Sequence, residues 1–112
     1  MNAIRNKVQL IGRLGADPEI RTFESGKKKV RISLATSEVR KDESGNRIES
    51  TQWHNVVAWG KLAELAEQYL VKGAEVAVEG KVTYSNYETK TGEKRYITEI
   101  VMNDFVMLGN RK

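Results

Sequence analysis

The sequence has no cysteine among its 112 residues, which excludes disulfide bonds and thiolate metal sites. It contains no run of about 18 apolar residues, so a membrane-spanning helix is excluded. The N-terminal segment also lacks the apolar stretch of a signal peptide. These absences favour a cytoplasmic, reducing compartment. The length suffices for one compact domain with a modest core, and we expect a single domain over residues 1–112.

Catalytic residues are also scarce. His54 is the one histidine, and no second histidine or carboxylate stands at metal-ligand spacing around it. The acidic residues are scattered, whereas a nuclease would need a carboxylate cluster for metal ions. We therefore expect no enzymatic activity, no cofactor and no bound metal.

Positive charge is concentrated in the first third of the chain. The net charge is +4, yet residues 1–31 hold eight Lys/Arg and three Asp/Glu. The densest point is Lys27-Lys28-Lys29 with Arg31. Such clustering implies a polyanionic partner, most often nucleic acid. The alternative is a solvated, lysine-rich turn.

The segment from residue 51 to residue 60 carries both tryptophans. Side chains alternate along a strand, so Trp53, Asn55, Val57 and Trp59 project to one side. Two indoles on one face of a basic protein indicate a surface on which bases stack beside a phosphate backbone. The alternative is that both tryptophans belong to the core.

Hydrophobic periodicity predicts strands separated by turns, with one helix. The helix begins at Lys61, buries Leu62, Leu65, Ala66 and Tyr69, has Lys72 in its last turn and closes at Gly73. A polar loop is expected from Glu38 to Glu49. The strands are expected at residues 7–14, resuming at 19–23 after the Asp17-Pro18 turn, and then at 29–36, 51–59, 75–85 and 94–108.

This layout predicts an all-β OB-fold, a five-stranded, partly open Greek-key barrel with one α-helix between strands 3 and 4. OB-folds bind oligonucleotides and oligosaccharides across strands 2 and 3 and the loops joining strands 1–2 and 4–5. Three features fall in those places: the basic turn at residues 27–29, the tryptophan pair on strand 3, and Tyr87 with Lys90 and Lys94 in the 4–5 loop.

Motifs along nearly the whole chain, from Asn6 to about Gly109, resemble those of the bacterial single-stranded DNA-binding proteins. The resemblance depends on their order and spacing over about a hundred residues. The motifs are Asn6-Lys7-Val8, Gly12-Arg13-Leu14-Gly15, Asp17-Pro18-Glu19, Leu34-Ala35-Thr36-Ser37, Trp53-His54 with Val56-Val57, Trp59-Gly60-Lys61-Leu62-Ala63-Glu64, Tyr69-Leu70-Val71-Lys72-Gly73, Val78-Glu79-Gly80 and Arg95-Tyr96.

The resemblance implies a homotetramer of OB domains around which single-stranded DNA wraps, with aromatic residues stacking on bases. Three of the four recurrent stacking positions are occupied here, by Trp53, Trp59 and Tyr87. At the fourth, after the Ala-Thr-Ser segment, Val39 cannot stack. The family places the position of His54 at a subunit contact. Family members usually continue into a flexible linker and an acidic tail, whereas this chain stops at Arg111-Lys112, so tail-mediated replication and repair partners do not transfer.

We therefore predict sequence-tolerant binding and protection of single-stranded DNA in replication, recombination and repair. The alternatives are a primosome-type OB dimer that assists helicase loading, a protein-binding adaptor barrel and an RNA-specific role. Arg21, Lys28, Lys72, Lys81 and Arg95 belong to a wider set of basic candidates, of which no more than half are expected to touch DNA. The predicted phosphate and groove contacts are Arg5, Lys7, Arg13, Lys27, Lys29, Arg31, Lys61, Lys90 and Lys94.

Overall fold

The computed structural model describes residues 5–108. Gly109 and the Arg111-Lys112 end of the sequence lie outside these residues. Strands and one helix follow one another along the described part of the chain. Their bounds are β1 (Val8–Leu14), β2 (Glu19–Thr22), β3 (Lys28–Lys41), β4 (Arg47–Trp59), α1 (Gly60–Tyr69), β5 (Glu75–Glu88) and β6 (Lys94–Leu108).

Five of these strands close into a barrel. The hydrogen-bonded order is β1-β5-β6-β4-β3-β2, and β1 also pairs with β3. Both closing seams are short: β1 meets β3 at residues 13 and 14, and β4 runs parallel to β6 at residues 56 and 57. The short β2 resumes after Pro18 and extends the sheet beyond β3. With α1 between β4 and β5, the predicted OB-fold is confirmed.

Strict alternation in the strands fills the barrel. Val30, Ile32 and Leu34 of β3 are at most 1% exposed, whereas Arg31 and Ser33 between them face outward. The same alternation holds in β1 and in the first half of β5. Burying one side of each strand supplies the apolar driving force, and the polar side remains in water.

The prediction of a loop from Glu38 to Glu49 is wrong. The ladder between β3 and β4 continues to the pair Lys41↔Arg47, and the remaining turn is closed by Asp42, whose Oδ1 accepts hydrogen bonds from the backbone N–H groups of Ser44 and Asn46. This part of the hairpin projects beyond the core. Because both sides of this part of the hairpin face water, most of its residues are polar and do not alternate with apolar ones. The sequence therefore lacks the period-two hydrophobic pattern by which a strand is recognised.

The helix buries only part of the predicted face: Ala66 and Leu62 pack on the barrel as predicted, whereas Leu65 and Tyr69 do not. Ala63 and Ala66 are fully buried and Leu62 is partly buried, whereas Leu65 and Tyr69 are 37% and 51% exposed. The small alanines let the helix backbone approach the barrel, which leaves the larger side chains to the side. α1 ends at Tyr69, so Lys72 is not in its last turn.

The segment after α1 is held by hydrogen bonds to the last residue of β1 and to the turn that follows β1. The N–H of Lys72 donates to Asp17 Oδ1 at 2.8 Å, and that of Gly73 donates to the Leu14 carbonyl at 2.8 Å. No helix of residues 5–108 is long and apolar enough to cross a membrane.

Gly12 permits the close approach of β1 to β3. A Cβ at Gly12 would collide with the carbonyl oxygen of Ala35, which is backbone and has little freedom to move. We therefore expect Gly12→Ala to lower the free energy of unfolding by about 1–3 kcal/mol, measured by urea denaturation at fixed protein concentration. Gln9→Ala, at an exposed position of the same strand, is the control and should change stability by no more than about 0.5 kcal/mol. Equal stability of the two variants would contradict this account of barrel closure.

Candidate nucleic-acid interface

The two indoles project from the outside of the barrel. Trp53 and Trp59 are 61% and 41% exposed, so the alternative that both belong to the core is wrong. Val57, between them in the alternation, is buried but lies outside the main core cluster. We call this outward side of β3 and β4 the tryptophan face. It carries Lys29, Arg31, Ser33, Ala35, Trp53, Asn55, Val57 and Trp59.

Trp53 lies against the backbone of Gly15. A Cβ added at Gly15 would come within 2.5 Å of Cζ3 and 2.8 Å of Cη2 of the indole. The N–H of Gly15 donates to the Ser33 carbonyl at 2.9 Å, so the glycine is itself fixed to β3. The absence of a side chain at residue 15 thus creates the space in which the six-membered ring of Trp53 rests.

Trp59 belongs to a group of aromatic and cationic side chains, the Phe23–Trp59 cluster. The Phe23 and Trp59 rings are stacked, with centroids 5.8 Å apart and an interplanar angle of 22°. Lys27 Nζ and Lys29 Nζ lie 5.8 Å and 5.2 Å from the Trp59 centroid. The Arg21 guanidinium lies 5.2 Å from the centroid of Phe23. Ammonium and guanidinium groups at these distances are attracted by the negative ring faces.

Strand register brings this cluster together. Arg21 pairs with Lys29 across β2 and β3, and Lys29 pairs with Trp59 across β3 and β4. Lys28 has the opposite orientation, and its Nζ lies 3.8 Å from Glu67 of α1. The basic run predicted as one feature is therefore divided, with Lys27 and Lys29 on the aromatic rings and Lys28 on the helix.

Tyr87 lies on β5 and not in a loop, which corrects the predicted position. It pairs with Arg95 and is 51% exposed. Alternation places Tyr87 on the same side of β5 as Lys81, and Lys81 pairs with Val101, which pairs with Val57 of the tryptophan face. Tyr87 therefore projects from the same side of the sheet as both tryptophans.

The basic residues around Tyr87 have different orientations. Lys94 pairs with Glu88 and projects from the opposite side of the hairpin to Tyr87, whereas Arg95 shares the side of Tyr87. Arg95 also forms an ion pair with Glu93 at 3.0 Å. Lys90 is exposed in the turn between β5 and β6. Register thus favours Arg95 over Lys94 as a neighbour of the stacking surface.

Two of the predicted contacts are engaged elsewhere. Lys7 pairs with Glu79 at 2.8 Å, and Arg13 donates to the Gly73 carbonyl at 2.9 Å. Arg5 precedes β1 and Lys61 lies in the first turn of α1, and both are exposed. The structure therefore gathers Lys27, Lys29 and Arg31 beside the tryptophans and leaves Lys7 and Arg13 on the flank formed by β1 and β5.

Three residues on or beside this face are not predicted as contacts. The hydrophobic pattern predicts a strand over 19–23 and gives Phe23 no part in binding, although its alternation with Arg21 indicates the outward side. Lys41 and Arg47 end the β3–β4 ladder on the side of the tryptophan face. Their orientation becomes evident only once the hairpin is seen to extend beyond the predicted strands.

His54 lies on the opposite side of β4. It is half-buried, and its Nε2 lies 3.0 Å from the Thr36 hydroxyl. Its predicted place in an oligomer interface stays a prediction. Among residues 5–108 there is no group of three or more His, Cys, Asp or Glu side chains that could hold a metal ion.

The architecture defines an OB-fold, and the exposed aromatic face lies where OB-folds bind oligomeric ligands. A model of the single-strand binding protein family matches residues 5–108 of the chain. The chain therefore belongs to the single-strand binding protein family.

Curated relatives agree with this assignment. "Single-stranded DNA-binding protein 1" of Chlorobaculum tepidum is 56% identical over 105 residues, which is 93% of this chain and 65% of that protein. "Single-stranded DNA-binding protein" of Xanthomonas campestris pv. campestris is 48% identical over 106 residues, which is 95% of this chain and 62% of that protein. The chain thus spans less than two thirds of the length of these two relatives.

Solved structures share the fold. A structure described as "Plasmodium falciparum SSB complex with ssDNA" superposes with a TM-score of 0.85 at 33% identity, covering 93% of this chain and 95% of that one. A deletion mutant of the single-stranded DNA binding protein from Thermus aquaticus gives a TM-score of 0.81 at 31% identity, covering 95% of this chain and 51% of that one.

The contact between Gly15 and Trp53 is testable by emission. In a Trp59→Phe background Trp53 is the sole tryptophan, so fluorescence reports its environment alone. We expect Gly15→Ala to displace the ring, to shift the emission and to lower the free energy of unfolding by about 1–3 kcal/mol. Ala16→Ser, at the exposed neighbouring position, is the matched control. Unchanged emission in the Gly15 variant would show that the indole does not depend on this glycine.

Proposed function

We propose that this chain binds and protects single-stranded DNA, largely independently of sequence and without turnover. The observation that carries the proposal is the exposure of Trp53 and Trp59 on one side of β4, beside Lys29 and Arg31. Relatives that share the family are named single-stranded DNA-binding proteins, and one similar fold was solved as a complex with single-stranded DNA. Replication, recombination and repair are the processes that expose such strands.

Stacking accounts for sequence tolerance. Every base presents a π-face, so an exposed indole accepts any of the four, at about 1–3 kcal/mol per base. Trp53 and Trp59 are six residues apart, and at about 3.3 Å per strand residue their Cα atoms lie about 20 Å apart along β4. This spacing suits successive stacking sites along one extended strand. Tyr87 adds a third ring on the same side of the sheet.

Cations on and beside the tryptophan face complement a phosphate backbone. Within residues 5–108, Lys27, Lys29 and Arg31 form no salt bridge, whereas Lys7, Arg13, Lys28 and Arg95 do. Phosphate contacts release counterions, and each contact adds about −0.7 to the slope of log K against log salt for a single strand. Three engaged cations would give a slope near −2 from this group alone.

We propose a homotetramer as the assembly, with His54 at a contact between subunits, as the family resemblance implies. A dimer would favour the alternative of a primosome-type protein that assists helicase loading. Sedimentation equilibrium distinguishes the two states, since four chains support the first function and two support the second. The adaptor alternative is less well supported, because two exposed indoles on one face, one of them with Lys27 and Lys29 over its ring, suit a polyanion better than an apolar protein surface.

The central test is a titration with oligothymidine and a matched duplex, followed by tryptophan fluorescence at low and moderate salt. We expect strong quenching by the single strand alone, weakened by salt. Trp53→Ala and Trp59→Ala should each weaken binding by about 1–3 kcal/mol. Tyr69→Ala, at an aromatic on α1 whose exposure of 51% lies between those of the two tryptophans, should leave affinity unchanged. Absence of quenching by either nucleic acid would overturn the proposal, and equal affinity for oligouridine RNA would remove its preference for DNA.

A new ring at residue 39 should tighten binding. Val39 is 51% exposed and pairs with Glu49, and alternation along β3 places it on the side of the tryptophan face. Val39→Trp should therefore gain about 1–3 kcal/mol in the oligothymidine titration. The matched control is Ser50→Trp, which adds the same ring to the other side of the hairpin. Equal gains from both variants would show that the effect is not specific to this face.

A further inference from the structure

β2 and the turn after it carry an aromatic ring and cations that have no part in the proposed stacking of bases on Trp53 and Trp59. Phe23 follows β2 directly, and its ring stacks on Trp59. Arg21 of β2 places its guanidinium over the ring of Phe23. We infer that Phe23 and Arg21 form a further nucleotide subsite, in which Phe23 stacks on a base and Arg21 binds the adjoining phosphate. The inference rests on the proposed binding of single-stranded DNA.

A cavity beside Arg21 suits the phosphate. It has a volume of about 250 Å³ and is lined by Glu19, Ile20, Arg21, Lys29 and Arg31. Arg21 and Lys29 form no salt bridge within residues 5–108. Three cations against one carboxylate leave the cavity positively charged, and Glu19 is the group that opposes an anion there.

The interaction free energies favour replacement of the cation on a ring by a base of the ligand. A cation over an exposed aromatic ring is held weakly, whereas a stacked base contributes more. A base that arrives at Phe23 therefore displaces the Arg21 guanidinium. The displaced group remains within reach of the cavity, where a phosphate offers a bidentate partner. In the unbound protein the cation keeps the ring covered, and in the complex it neutralises the backbone.

The position of Phe23 extends the bound strand past the edge of β4. Trp53 and Trp59 follow one another along the tryptophan face, and Phe23 lies beside this face, on the far side of Lys29 from Trp59. A strand that stacks on Trp59 thus reaches Phe23 next, without crossing the core or α1. The subsite adds a stacking ring in a chain in which Val39 supplies none.

The test compares Phe23→Leu, which keeps apolar packing against Trp59 but removes the π-face, with the wild-type chain. In a Trp53→Phe background Trp59 is the sole tryptophan and reports whether its own site is intact. We expect Phe23→Leu to weaken oligothymidine binding by about five- to a hundredfold. Quenching of Trp59 at saturation should be unchanged. Loss of that quenching would overturn the inference, because Phe23 would then only hold Trp59 in place.

Charge variants test the proposed contact between Arg21 and a phosphate. Arg21→Gln should reduce the magnitude of the salt slope by about 0.7, and Glu19→Gln should raise affinity. Photocross-linking to oligothymidine that contains 5-iododeoxyuridine should yield an adduct on the peptide that carries Phe23. Wild-type affinity of Phe23→Leu, with no adduct on that peptide, would overturn the subsite and leave the proposed function standing. Failure of the wild-type chain to bind oligothymidine would instead remove the proposed function itself.

Discussion

The antiparallel ladder between β3 and β4 is the constraint on which the rest of the structure depends. It runs without interruption from Lys29↔Trp59 to Lys41↔Arg47. Its inward residues supply a large part of the core, and its outward residues form the tryptophan face. A slip of one residue would exchange the two sides and place indoles in the barrel. Burial of Ile32 and Val56 therefore fixes the exposure of Trp53 and Trp59.

The alternation that defines this ladder is visible in the sequence, whereas contacts between strands are not. The sides occupied by Val30, Ile32 and Leu34, and by the tryptophans, follow from a period of two and are confirmed. The predicted buried face of α1 is partly wrong, because the prediction follows the spacing of the large apolar side chains. Small side chains such as alanine are what allow close packing of a helix on a barrel. The stack of Phe23 on Trp59 requires the register of β2 with β3 and of β3 with β4, which no local pattern specifies.

Among residues 5–108, some cations pair with carboxylates and others lie over aromatic rings. On the flank formed by β1 and β5, Glu79 engages Lys7 and Glu75 lies near Arg13. Around Trp59, aromatic rings take the place of carboxylates as partners of Lys27 and Lys29. Exposed ion pairs contribute little to stability, so this division matters less for folding than for the direction of the surface field. Net charge, which is read from composition, does not reveal which cations pair with carboxylates and which lie over aromatic rings.

Cations on the rings also address a difficulty of any exposed stacking surface. Large apolar rings left in water favour association with other apolar surfaces. Lys29 over Trp59 and Arg21 over Phe23 shield the rings with charged groups that stay hydrated at their outer side. The contacts are weak, at about 0.5–1 kcal/mol each when exposed, so a stacking base at about 1–3 kcal/mol would replace them. A surface protected in this way would favour flat, anionic ligands over ligands that bring apolar area without negative charge.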